Sequence, residues 1–250
     1  MERLKRPRLR KREGLVLAEG PRVVTEALRS DAAVRGLWVE AAVEHTPQGH
    51  SVLAAAAGKG VEVHVVEDGA LGAVSDTESP QAMIAIVEEP SPSPADRQHG
   101  GRILLLDGLQ DPGNVGTLIR TAWALDLTQV WTTRGCSDPW GSKAVRASAG
   151  AVFHLDIVGV GEADGGLAET QHRVWVADAA GTPITHVPDA GGTDWVLAVG
   201  NEGAGVSAAV RSLGPGVSIP MSKGADSLNV AVAGSILMYV LVQAGRDGDV

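Results

Sequence analysis

A chain of 250 residues that is 44% apolar but only 3% aromatic is long enough for two modest domains, each with a core of Ala, Val, Leu and Ile. One cysteine, Cys136, excludes an intramolecular disulfide and a thiolate metal cluster and fits a reducing, cytoplasmic compartment; no run of about 18 apolar residues marks a membrane span or secretory leader. A net charge of -9 argues against a general nucleic-acid binder, yet residues 1–13, "MERLKRPRLRKRE", hold seven Lys/Arg against two Glu, and a basic arm on an acidic body can grip phosphates in a salt-sensitive way.

Behind this arm the pattern predicts a small α/β domain over 1–88. Its elements are a helix in "GPRVVTEALRS", a strand in "VRGLWVE", a helix in "GHSVLAAAAGKG", and strands in "VEVHVV" and "AMIAIVE". The Pro/Ser/Gly-rich stretch "EEPSPSPADRQHGG" places a linker over 89–101. From 102 to 250 the alternation continues on a larger scale. Strand "ILLLD" precedes a helix from Asn114 to Leu125, strand "QVWTT" a helical stretch around Lys143 to Ala149, and strand "FHLDIV" a helix near Ala163 to Gln171. Strands "RVWVAD", "DWVLAVG" and "VSIP" follow, and a C-terminal helix from about Ser227 to Gln243 is apolar nearly all round and expected to be buried. This is an α/β fold, a mostly parallel sheet with helices on both faces, and such sheets bind ligands at the carboxyl ends of their strands.

Three of those strand ends carry loops with polar groups. "DPGNVGTLIR" follows the first strand with Asn114 as a possible helix cap and Arg120 six residues on, the spacing of a nucleotide loop or of a capped helix with a surface Arg. It has neither the Gly-x-Gly-x-x-Gly of a dinucleotide site nor a Gly-Lys-Ser/Thr. "GNEGAG" ends a buried strand with Gly200, Asn201, Glu202 and Gly203, glycines that admit a close backbone approach to a ligand. "SIPM" and "SLN" lead into the last helix with Ile219, Met221, Ser227, Leu228 and Asn229, which alone read as a strand end and an N-capped core helix.

As an ordered set, "DPGNVGTLIRTA", "GNEGAG", "IPM" and "SLNVAVA" resemble the three motifs of the SpoU (TrmH-like) RNA ribose 2'-O-methyltransferases of the SPOUT class. The first ninety residues look like the substrate-binding domain many members carry. The resemblance implies a deep C-terminal trefoil knot, which ordinary topology rules would not suggest, and a homodimer packed through the last helix. It also implies S-adenosylmethionine held by Val199, Gly200, Asn201, Gly203, Ile219, Met221, Leu228 and Asn229, and a catalytic set of Arg120, Asn114, Glu202, Ser227 and Asn229.

The chemistry is an in-line displacement in which reactants must be positioned and the hydroxyl proton removed. A guanidinium keeps its proton at any ordinary pH, so Arg120 suits a clamp on phosphate and developing oxyanion better than a base. S-adenosylmethionine carries no phosphate, which matches loops without a basic cluster. RNA does need cations, and Arg120, Arg134, Lys143 and Arg146, with Arg8, Arg10, Lys11 and Arg12 of the arm, form the candidate track. Trp140, between Pro139 and Gly141, is the loop-borne candidate for base stacking, while Trp123 and Trp131 are expected in the core. The histidines lack metal-ligand spacing, so no metal is expected. Ribosomal RNA is favoured over transfer RNA because a separate N-terminal domain is present. A non-catalytic RNA-binding protein of the same fold and a nucleotide-dependent oxidoreductase are the competing readings.

Overall fold

The computed structural model describes residues 2–75, 80–91, 100–161, 172–187, 192–224 and 227–246. The first elements in chain order are α1 (Pro7–Glu13), β1 (Leu15–Glu19), α2 (Pro21–Arg29), β2 (Val34–Glu40), α3 (Ala41–Glu44), α4 (Pro47–Gly58), β3 (Val63–Val66) and β4 (Met83–Glu88). Next come β5 (Arg102–Asp107), α5 (Pro112–Ala124), β6 (Gln129–Thr132), α6 (Ser142–Ala147) and β7 (Asp156–Gly159). The last are β8 (Arg173–Pro183), β9 (Trp195–Gly200), α7 (Ala208–Arg211), β10 (Gly216–Ser218) and α8 (Val230–Arg246). The helix expected near Ala163 to Gln171 falls outside the described residues.

Two compact units form, Met1–Ser91 with Pro139–His154, and Pro92–Asp138 with Leu155–Val250. Residues 139–154 thus depart from the uninterrupted domain expected over 102–250, and their contacts explain why. Arg146 Nη1 lies 3.2 Å from Oε2 of Glu19, a buried carboxylate that also accepts from Ser75 Oγ. His154 Nε2 sits 3.1 Å from Glu26 Oε2. Trp140 is buried, its ring centroid 5.9 Å from that of Phe153. It is a core residue of the first unit rather than the exposed stacking surface its Pro and Gly neighbours suggested. Residues 151–154 form a short 3-10 turn, so the strand expected from Phe153 begins only at Asp156.

The first unit is a four-stranded sheet ordered β1-β4-β2-β3, antiparallel except for β2 with β3. Leu15 and Leu17 of β1 join Leu71, Ile84 and Trp38 in one apolar cluster, to which Leu4 is added from the basic segment. That segment is not an unstructured arm. Pro7 opens α1 and Gly14, left-handed at φ 61°, closes it. Arg10 is buried, donating to the Leu15 carbonyl at 3.3 Å and the Glu89 carboxylate at 2.9 Å, so it is unavailable to a phosphate.

In the second unit six strands are ordered β10-β8-β9-β5-β6-β7, and every pairing is parallel. Strands β5, β6 and β7 run outward in sequence order, and the chain then returns so that β9 lies beside β5. The order reverses there, which is where open parallel sheets leave a crevice beyond the carboxyl ends. Asp107 and Gly200, the last residues of β5 and β9, are register partners at that point. All six residues of β9 are buried, as a strand covered on both faces requires. Val206 and Val210 pack on the face bearing Ile103, Leu105, Val196 and Ala198. On the other, α8 lies against Val199 and, at Gly234, against Leu118 of α5.

Helix α8 is not buried all round. Leu237, Met238, Leu241 and Val242 are covered, but Val232, Ile236 and Tyr239 form an exposed stripe, with Tyr239 55% accessible. Trp123 of α5, expected in the core, is also exposed at 37%, because the apolar face of α5 is Val115, Leu118, Ile119 and Ala122.

Candidate active site

Asp107 fastens the carboxyl end of the sheet. Its Oδ2 accepts the Ser207 backbone N–H at 2.6 Å and its Oδ1 the Thr133 hydroxyl at 2.8 Å, while Thr133 Oγ1 accepts the Gly108 N–H at 3.1 Å. One buried carboxylate therefore joins the loops after β5, β6 and β9. Its only trace in the sequence is an Asp closing an apolar strand. Cys136 is spent on the same scaffold: its thiol donates to the Leu106 carbonyl at 3.0 Å, and burial pushes its pKa up against several hydrogen bonds, the setting of an unreactive thiol.

Asp111, not Asn114, caps α5, accepting from the N–H groups of Gly113 at 2.5 Å and Asn114 at 3.1 Å with Pro112 in the first turn. Asp before Pro meets both helix-start preferences, and it frees the Asn114 amide. Asn114 Nδ2 donates to Glu202 Oε1 at 3.0 Å, and Asn114 Oδ1 accepts from Asn229 Nδ2 at 3.2 Å. Asn229 in turn caps α8, its Oδ1 accepting from Ala231 N at 2.9 Å and Val232 N at 3.3 Å. A hydrogen-bonded chain Glu202–Asn114–Asn229 thus crosses all three loops. Partial burial raises the Glu202 carboxyl, but hydrogen bonds from Asn114 and from the backbone of Glu202, Asp111 and Gln110 outweigh it and hold the group below the ordinary carboxylate value.

Beside this chain lies a cavity of about 390 Å³, within the usual range for a small-molecule site. Val199, Gly200, Asn201, Ile219, Met221, Leu228 and Asn229 of the expected cofactor set line it, as do Glu202 and Ser227. Gly203 does not. Its N–H and that of Ala204 are taken by Asn201 Oδ1 at 2.9 and 3.0 Å, while Asn201 Nδ2 donates to the Gly108 carbonyl at 3.0 Å, so the Asn201 side chain fixes its own loop. Gly200 is obligatory, since a Cβ there would stand 2.2 Å from backbone atoms of Gly205 and Val206. Ala177, Asp178 and Ala179, which carry no motif in the sequence, also line the cavity.

A SpoU rRNA Methylase family model matches residues 101–239, and an MRM3-like substrate binding domain matches residues 1–85. The chain belongs to the SpoU rRNA methylase family. It is 34% identical over 229 residues to the 23S rRNA (guanosine(2553)-2'-O)-methyltransferase RlmP of Bacillus subtilis, covering 90% of this chain and 87% of that one. It superposes with a TM-score of 0.82 and 27% identity on the AdoMet-bound rRNA methyltransferase of Sinorhizobium meliloti, over 97% and 92% of the two chains. The SpoU methyltransferase AviRb of Streptomyces viridochromogenes, in complex with AdoMet, gives 0.79 and 28% over 95% and 93%.

The cavity of this SpoU methylase suits S-adenosylmethionine. Val199, Val217, Ile219 and Leu237 give apolar walls, and among the described residues Asp178 and Glu202 are the charged ones of the lining, with no Lys, Arg or His beside them. A pyrophosphate cofactor would find no counter-charge there, whereas a sulfonium is favoured by it. Arg120 does not line this cavity. It is exposed on α5 beside a second hollow formed with Thr117, Thr121, Ser235 and Tyr239, where Thr121 Oγ1 and Ser235 Oγ lie 3.0 Å apart. Of the remaining candidates, Arg8, Lys11, Arg12, Arg134 and Lys143 are exposed, while Arg146 is engaged by Glu19. Among the described residues no helix is long and apolar enough to cross a membrane.

Proposed function

We propose that this SpoU methylase transfers the methyl group of S-adenosylmethionine to a ribose 2'-hydroxyl of ribosomal RNA. The observation that carries the reading is the Glu202–Asn114–Asn229 chain at the lip of an anionic, apolar-walled cavity. Relatives named as ribosomal RNA 2'-O-methyltransferases and AdoMet-bound structures of the same fold support both substrate and cofactor, and favour ribosomal over transfer RNA. The bound cofactor supplies an electrophilic methyl on sulfur. Val199, Gly200, Ile219, Met221 and Leu228 hold it, Gly200 by its backbone. Glu202 and Asn114 orient polar groups of the ribose, Ser227 and Asn229 border them, and Arg120 grips the neighbouring phosphate and stabilises the oxygen as its proton leaves.

The working unit is a homodimer, formed through the exposed stripe Val232, Ile236 and Tyr239. Arg120 lies beside Tyr239 on that side, so pairing there brings the guanidinium to a completed site. A C-terminal trefoil knot is part of this reading, and the convergence of the β9, β10 and α8 ends on one cavity supports it. The first unit is the RNA-binding module, with Arg8, Lys11 and Arg12 exposed on α1. A single cysteine, the partly buried Cys136, fits a reducing, cytoplasmic compartment.

Arg120→Ala tests the mechanism. It should keep calorimetric affinity for S-adenosylmethionine within about twofold while methyl transfer to ribosomal RNA falls by roughly 10²-fold or more. Retained transfer would remove Arg120 from the reaction, and a wild-type chain that fails to bind the cofactor would overturn the function itself.

A further inference from the structure

The strand β8 leaves its ladder in the middle. Its partner β10 pairs Gly216 with Val176 and then Val217 with Thr182, so residues 177–181 of β8 swing out between two paired segments. Ala177, Asp178 and Ala179 of this excursion form part of the cavity wall. The detour is firmly built. Ser218 Oγ donates to the Gly181 carbonyl at 2.8 Å, and a Cβ on Gly181 would lie 2.4 Å from the Gly216 backbone. Asp178 Oδ1 accepts the Ala180 N–H at 3.0 Å, and its Oδ2 accepts from Arg211 Nη1. Those hydrogen bonds, the Ala180 one first, hold its pKa below the usual carboxylate value against a small opposing effect of burial.

The two partners are not placed alike. The Asp178 side chain is 21% exposed and lines the cavity, whereas that of Arg211 is 50% exposed and does not. The cation therefore stands nearer solvent, where its field is more strongly screened. With Glu202 already assigned to the reaction, Asp178 is the remaining formal charge among the described residues of the lining.

Charge is also what distinguishes the donor from what it becomes. S-adenosylmethionine carries a sulfonium, an ammonium and a carboxylate, a net +1. When its methyl carbon leaves sulfur for the ribose oxygen, sulfur keeps the bonding pair, the hydroxyl proton goes to solvent, and S-adenosylhomocysteine is left with no net charge. We propose that Asp178 is the specificity-determining residue by which the cavity prefers the cationic methyl donor to its neutral product, with Arg211 setting the strength of that preference. The proposal rests on the cofactor reading above and deepens it: a site without such a charge would retain its product and slow its own turnover.

The test is calorimetric binding of S-adenosylmethionine and S-adenosylhomocysteine, separately, to the full chain and to two variants. Asp178→Asn keeps the shape and removes the charge. It should weaken the methionine form about fivefold, the modest effect of losing one partly screened unit charge, and change the homocysteine form less than about twofold. Arg211→Gln uncovers the carboxylate and should shift the affinity ratio the other way, in favour of the methionine form. Equal weakening of both ligands in Asp178→Asn would make the residue a loop fastener and overturn the proposal, as would an Arg211→Gln ratio that is unchanged or moves toward the product. If the wild-type chain binds neither ligand, the cofactor reading itself falls, an outcome distinct from binding both without discrimination.

Discussion

Both polar atoms of the Asn114 amide are engaged, Nδ2 by Glu202 and Oδ1 by Asn229, so its orientation is fixed and an isosteric Asp cannot take its place. Asn114→Asp would set a second carboxylate against Glu202, and two carboxylates sharing a site raise the pKa of the pair. Transfer by Asn114→Asp should therefore be poor at neutral pH and recover partly below about pH 6, where a shared proton restores a donor; a pH–rate profile parallel to wild type would contradict this. Glu202 itself has a depressed folded pKa. Its contribution to stability is accordingly complete above the unfolded value of about 4.3 and lost as pH falls through the lower folded value. The stability difference between wild type and Glu202→Gln, measured by denaturant melts, should be constant from pH 6 to 8 and shrink only below about pH 4.5. Basic residues of α1 divide in the same residue-by-residue way. Replacing exposed Arg8, Lys11 and Arg12 with Gln should lower the salt slope of RNA binding by up to roughly 3, whereas Arg10→Gln should act on stability, because it strands Glu89.

At the level of elements, α6 acts as a strut of the first unit. Arg146→Ala leaves the buried Glu19 without its cation but with Ser75 Oγ still bonded, so destabilisation of about 1–3 kcal/mol is expected, read as a lower denaturation midpoint. The strand-helix alternation of the second unit was legible because "ILLLD" and "DWVLAVG" hold uninterrupted apolar runs and "QVWTT" is rich in β-branched and aromatic residues, each bounded by turn residues. Other elements were not, the one-turn helices α3 and α7 among them. The β1 run "LVLAE" is short and abuts the basic segment, and α1 is itself too charged to show an apolar stripe. The β8 excursion depends on pairing with β10, which no local pattern encodes, so nothing in the sequence around Asp178 marks it as a lining residue. Glu202, Asn114 and Asn229 were found by resemblance, but the capping role of Asp111 could have been read from Asp before Pro.

For the molecule as a whole, the stripe on α8 makes a definite claim about assembly. Ile236→Asp places a charge on an apolar face that is exposed among the described residues, so the fold should survive while sedimentation shows a monomer and methyl transfer is lost. A dimer that persists would remove this face from the interface. The units can also be separated in their effects: changes on α1 should alter RNA affinity without altering cofactor affinity, since every described residue lining the cavity belongs to the second unit. Those lining residues run from Ala177 to Leu237, and the span has a kinetic meaning. Until α8 docks, the cavity lacks one wall, so a growing chain emerging from its own ribosome has no place for the donor. Binding is then linked to closure of the second unit as a whole, and saturating S-adenosylmethionine should slow proteolysis of β5 as effectively as that of the loops it touches.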